Sequence, residues 1–251
     1  MWKRRELKDY AKGFLKQNYW KAFIVVLFTL ILISVISDSF SDRLGVAEQT
    51  FRFLKDNELV SFNNDAEYAL FEYIYTNFKP LTIATIVVSS IDSIIIGLIL
   101  MAFMQILNVG KAKFFLDGFN GDVNINKLFI GFTTKDFLPI IKTQLLSMFY
   151  IFLWTLIFII PGFIKAYQYR YVHYILSEDS SLSSKEILRK SKEMTMGHKW
   201  NIFVLDLSFI MWDLLGLITF GLSGYFVAPY VEATNARLYN VLKDRTDMQY
   251  E

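Results

Sequence analysis

The chain has no cysteine among its 251 residues, only four prolines and only two histidines. Without cysteine, no disulfide, thiolate metal site or cysteine nucleophile can be built. Two histidines far apart in sequence, His173 and His198, do not make a metal site either. Charge is absent from long stretches. Residues 22–37 and 143–164 carry none, 81–107 carry only Asp92, and 201–231 carry only Asp206 and Asp213. A bilayer core about 30 Å thick needs about 20 apolar helical residues, so these runs predict an integral membrane protein. A membrane β-barrel would show roughly ten-residue alternating segments, whereas these runs are unbroken. Catalytic signatures are missing too: there is no P-loop, GxSxG, HExxH or dinucleotide fingerprint. The basic loops hold no nucleic-acid module. The expectation is a protein that is not an enzyme, has no catalytic residues, cofactor or metal, and binds no nucleic acid.

What the chain does contain agrees with this. Its hydrophobic share is 54%, its mean hydropathy is +0.34, and it holds 24 Phe and 14 Tyr, residues suited to lipid contact and the interfacial belt. The economical reading is all-α: one polytopic transmembrane helical bundle, a single integral membrane domain over 1–251. Seven Lys/Arg lie in the first 21 residues. Leu7, Tyr10, Ala11, Phe14, Leu15 and Asn18 follow helical spacing there, with Lys8, Lys12 and Lys16 on another face. That pattern predicts an amphipathic helix over 1–21, lying in the headgroup plane against anionic lipid. The basic stretch is long for a signal peptide and no A-x-A site follows Ser37, which favours an uncleaved anchor.

Loop charge sets the topology. Residues 38–80 hold four Lys/Arg against eight Asp/Glu, whereas 108–137 and 177–201 are basic. The positive-inside rule puts the acidic loop 38–80 outside the cell membrane and the N-terminus, 108–137 and 177–201 in the cytoplasm. One span per run would leave 177–201 outside. Pro161 with Gly162, and Gly221 with Gly224, resolve this by breaking the third and fourth runs. Read as hairpins, they give six segments, near 22–38, 81–107, 139–160, 162–177, 200–218 and 222–241, with both termini cytoplasmic. The short 162–177 and the partly polar 222–241 keep five segments open beside six. Residues 183–196 read as a short cytoplasmic helix capped by Ser183 or Ser184, and 117–122 read as a turn rather than a calcium loop.

The opening WKRRELKDYAKGFLKQNYWKAF, the WTLIFIIPGFIKAYQY stretch, the HYIL–EIL–S–EM–G–KW run, LDLSFIMWDLLGLITFG and the ending PYVEATNARLYNVL carry a further signal. Together they resemble the bacterial integral membrane family catalogued as domain of unknown function 975, over nearly the whole chain except 38–80. The resemblance implies a membrane protein and no particular activity. His173 stands where that family leads us to expect proline, which implies a softer kink. The Pro-Gly-then-aromatic pattern is also similar, more faintly, to membrane domains accompanying glycerophosphodiester phosphodiesterases, whose catalytic domain is absent here.

Polar residues within the apolar runs are the candidate functional groups, because a charge at membrane depth is costly and faces protein or water. Asp206 and Asp213 share a helix face, and Lys165 and Arg170 lie in the segment expected beside them. Pairing across helices, with Asp213–Lys165 favoured, is the structural expectation; a proton relay is the functional alternative. Thr85, Ser89, Ser93 and Gly97 recur at i+4, a row that admits a close helix neighbour, with Asp92 beside it. Tyr167, Tyr171 and Tyr174 form an aromatic stripe explained by packing or interface anchoring. The function expected is non-enzymatic binding of lipid, peptide or a membrane-protein partner, a second copy included, in envelope maintenance or resistance. The alternative is a small transporter or channel using Asp92, Lys165, Arg170, Asp206 and Asp213.

Overall fold

The computed structural model describes residues 2–55, 97, 99–133, 137–212, 214, 219 and 221–248, and side chains in the first helix only as far as Leu32. Every regular element among them is helical: α1 (Arg4–Lys55), α2 (Ile99–Phe119), a 3-10 turn (Ile125–Phe129) leading into α3 (Ile130–Thr133), α4 (Phe137–Ile157), α5 (Ile159–Gln168), α6 (Val172–Glu178), α7 (Ser184–Thr195), α8 (Lys199–Leu207) and α9 (Leu222–Asp247). Three stretches are long and apolar enough to cross a membrane: Arg4–Leu32 of α1, all of α2, and all of α4. The chain groups into two compact units, Met1–Ile31 with Ala102–Glu251, and Leu32–Met101. The elements discussed below belong to the first. In the second, Gly97 is helical and half-buried; Asp92, Thr85, Ser89 and Ser93 lie outside the described residues.

The amphipathic N-terminus is not a separate helix. α1 runs from Arg4 without a break through the apolar run. Its apolar face is covered by protein: Leu7, Ala11, Leu15, Ala22, Val25 and Val26 are all buried. Phe14 packs edge-on against Phe119 of α2, at 5.0 Å between ring centroids, and Phe23 stacks on Phe226 of α9 at 5.3 Å. Periodicity identifies such a face correctly but says nothing of whether lipid or protein covers it.

The break in the third run falls at Phe158, not at Pro161-Gly162. Phe158 is extended (φ −156°, ψ 146°) between α4 and α5. Pro161 sits in the first turn of α5, where a missing amide hydrogen is harmless. Gly162 instead sets the approach of the two helices. A Cβ there would come under 3.0 Å from Cα and Cβ of Thr155, so only glycine lets α5 lie this close to α4. Ten residues make α5 about 15 Å long, half the thickness of a bilayer core. The segment 162–177 is therefore not one crossing helix: the chain turns through 169–171 into α6. His173 stands in the first turn of α6, just after this turn. Tyr150 meets Tyr169 at 6.2 Å. Beyond that contact the hairpin projects about 11–15 Å at 1.5 Å per residue. Its tip is apolar and uncovered, with Phe158 70% and Ile160 74% exposed.

α7 follows from local chemistry. The Ser183 hydroxyl accepts from the Glu186 amide and the Glu186 carboxylate accepts from the Ser183 amide, a reciprocal capping box. The Ser183 hydroxyl also donates to the Glu186 carboxylate, and that bond, with the one from the Ser183 amide, holds the Glu186 carboxyl below its ordinary pKa. Ile187, Leu188, Ser191 and Met194 form the buried face. At the second glycine break only Gly221 is required: it is left-handed (φ +86°) before α9, whereas Gly224 has open space around it. The acidic turn after α2 is closed by a lysine. Lys127 donates to both Asp117 and Asp122. Burial alone would lower its pKa, but the two carboxylates outweigh that and raise it.

Candidate functional site

Among the sequence-derived candidates, Asp206 and Arg170 meet. Arg170 lies in the turn between α5 and α6 and Asp206 near the end of α8. The guanidinium grips the carboxylate with two parallel bonds, Nη1 to Oδ2 and Nη2 to Oδ1, both 2.8 Å. Planar bidentate geometry of this kind is the strong form of an ion pair. The Tyr167 hydroxyl donates to the same Oδ2 at 2.8 Å, and Arg170 Nη2 also donates to Oδ1 of Asn235 at 3.1 Å. Both charged side chains are largely covered, at 24% and 29% exposure. One node thus ties α5, α8 and α9 together.

Lys165 is placed differently. It makes no ion pair among the described residues; its ammonium lies over the Trp154 ring, 4.8 Å from the centroid, and near the Tyr169 ring at 5.9 Å. A cation on an aromatic face keeps its charge without a carboxylate. Asp213, the partner expected for it, lies outside the described residues. Tyr171 and Tyr174 are buried and pack with Tyr239 of α9, Tyr174 stacked on it at 5.0 Å between ring centroids. Tyr167 instead serves the ionic node. Among the described residues no three His, Asp or Glu gather at metal-holding distance.

The residues that sequence reasoning misses lie on α9. Glu232 accepts from Lys111 of α2 at 2.5 Å, Asn235 accepts from Arg170, and Tyr239 and Lys243 both donate to Glu178 at the end of α6, at 2.5 and 2.8 Å. Positions 232, 235, 239 and 243 follow i+3, i+4, i+4 spacing and so share one helix face. That spacing is the signal: a polar stripe on an otherwise mixed helix. Ala233, Ala236 and Leu238 beside it are fully buried, so the stripe is a polar seam along a packed face, partly buried at Glu232 and open to solvent at its Lys243–Glu178 end.

The seam and the end of the bundle fit together. Arg237 lies 4.1 Å over the Tyr10 ring, and Tyr10 meets Phe119 at 5.2 Å. The start of α1, the end of α2, the end of α6 and the later turns of α9 therefore gather in one region of this unit.

A largely basic groove opens between the start of α1 and α8. It has a volume of about 1070 Å³ and is lined by Trp2, Lys3, Arg4, Arg5, Lys8, Asp9, Lys12, Trp200, Asn201, Val204 and Ser208. Neither Arg170 nor Asp206 lines it.

No curated protein and no solved structure matches the chain. A family model does match, over residues 156–246, a stretch that holds the α4–α5 tip, the Arg170–Asp206 node and the whole α9 seam. Over that stretch, a little more than a third of the chain, the protein is similar to the family described as Protein of unknown function (DUF975).

Proposed function

We propose that this is a non-catalytic, membrane-resident binding protein that holds lipid, peptide or another membrane protein, a second copy included, and serves envelope maintenance or resistance. The observation that carries the reading is the saturation of Asp206. Its carboxylate is fixed by a bidentate guanidinium and a tyrosine hydroxyl, with Asn235 completing the guanidinium. A proton relay needs a carboxylate that can release its partners, and this one is clamped. The competing reading, a small transporter, makes the test. In vesicles reconstituted with the purified protein, a pH gradient should dissipate no faster than in empty vesicles. A flux that Asp206→Asn abolishes while leaving the melting temperature intact would overturn the proposal in favour of transport.

The proposal includes a sidedness: a bacterial cell membrane with both termini and α7 in the cytoplasm. It rests on the positive-inside rule and on the gathering of the α1 start, the α2 end and the later turns of α9 in one region of the unit. Lys190→Cys on the exposed face of α7 should resist a membrane-impermeant thiol reagent in intact cells and react after permeabilisation. Reaction in intact cells would reverse the orientation.

A further inference from the structure

We infer that the basic groove between α1 and α8 is a binding site for an anionic glycerophospholipid, with the phosphate among the α1 cations and an acyl chain along the aromatic cavity beside it. The inference rests on the reading of a membrane-resident protein and names a ligand class and a place for it.

Three observations carry it. First, the groove collects five cations, Lys3, Arg4, Arg5, Lys8 and Lys12, against one carboxylate, Asp9. Two of them are tied into the wall: Lys8 Nζ donates to the Ser208 carbonyl at 3.2 Å and lies 4.2 Å over the Phe209 ring, and Lys12 lies 5.9 Å from the Tyr230 ring. The ion pairs that Lys3 and Arg5 make with Glu6 and Asp9 are long and exposed, and such pairs hold a side chain weakly. Second, Trp2 in the groove wall is 7% exposed, and its Nε1–H finds no acceptor among the described residues. A buried donor without a partner is uncommon, and a phosphate or ester oxygen in the groove would supply one. Third, a second cavity of about 440 Å³ adjoins at Lys12, which lines both. Its other lining residues are Leu15, Lys16, Tyr19, Trp212 and Tyr230. It is the apolar neighbour of the charged groove, and Trp20 and Ile24, further along α1, are 69% and 49% exposed.

Charge at one end and apolar surface at the other, in line along one helix, is the polarity of a lipid standing in a leaflet. An acidic peptide would use the cations but not the aromatic cavity. A free phosphate would use neither the length nor the apolar end.

Native mass spectrometry of the protein in neutral detergent tests this, with phosphatidylglycerol, phosphatidylcholine, glycerol 3-phosphate and polyglutamate as probes. The protein should retain phosphatidylglycerol in preference to phosphatidylcholine. Lys3→Glu with Arg5→Glu, two exposed positions whose exchange leaves the core untouched, should lower that affinity by about tenfold or more. Trp212→Ala should weaken phosphatidylglycerol and leave glycerol 3-phosphate unchanged. Equal retention of the two lipids, or a preference that survives the double reversal, overturns the site. Glycerol 3-phosphate or polyglutamate held as tightly as the lipid overturns the lipid assignment. Resistance to carbonate extraction is read in parallel. A protein that resists extraction but shows no lipid preference defeats this inference alone, whereas one that is extracted defeats the membrane reading beneath it.

Discussion

Asp206→Ala should lower the stability of the solubilised protein by about 3 kcal/mol, toward the low end of the cost of breaking a buried pair from one side. The reason is what stays behind. Arg170 keeps its guanidinium in a largely covered site, with Asn235 as its remaining acceptor among the bonds described. The Tyr167 hydroxyl loses its acceptor as well. The partial exposure of both charged side chains places the expected loss near 3 rather than 5 kcal/mol. Removing the cation too should recover part of it. Asp206→Ala combined with Arg170→Leu should be less destabilised than the sum of the single changes by at least about 1 kcal/mol. Thermal or denaturant melts of the four proteins in one detergent give the coupling directly, and strictly additive losses would show that the two side chains do not depend on each other.

Gly110→Ala should be the second severe change. An isolated glycine within α2 reads as a mild defect, and alanine there would gain about 1 kcal/mol of helix propensity on an exposed face. The structure reverses that sign. A Cβ at Gly110 would come under 3.0 Å from the carbonyl oxygen, carbonyl carbon and Cα of Leu128. Leu128 is itself buried in the 3-10 turn, and backbone cannot swing aside as a side-chain tip can. Overpacking a tight contact costs about 1–3 kcal/mol, and the upper end applies because the neighbour is main chain. The net expectation is a loss of about 2 kcal/mol. By contrast, Gly13, in the first turns of α1 with nothing near its missing Cβ, should accept alanine with a small gain. Comparing the two melting temperatures isolates the contact from propensity; a Gly110→Ala protein as stable as Gly13→Ala would mean that the turn yields.

These two sites show what a linear reading can and cannot reach. The Arg170–Asp206 node was within reach because a charge in an apolar run needs a partner and few are on offer. The aromatic setting of Lys165 was out of reach: its ammonium lies over the Trp154 ring, eleven residues earlier, where no pairing rule looks, while Asp213, its expected partner, lies outside the described residues. α7 was legible to within a residue at each end, with the cap left between Ser183 and Ser184, since Ser183 and Glu186 interact within one turn and need nothing from elsewhere. The N-terminal face was legible as apolar but not as to what covers it, because α2 and α9 lie about 100 and 220 residues away, and periodicity reports a face rather than its neighbour. Gly110 was silent for the same reason: its constraint comes from a turn on the far side of a loop. The α9 stripe at 232, 235, 239 and 243 was visible in principle. It was passed over because polar residues in a terminal helix are ordinarily read as a solvated face.

The seam also imposes an order on assembly. The acceptor for Lys111 is Glu232, 121 residues later in the chain. At a synthesis rate of about 5–20 residues per second, α2 waits about 6–24 seconds for that carboxylate. Asn235 completes Arg170 only after Asp206 has already closed on it, and Tyr239 and Lys243 reach Glu178 later still. For this interval the Lys111 ammonium lacks the carboxylate that it meets in the finished fold. Of the helices described, the one made last bonds to α2, to the turn before α6 and to α6 itself.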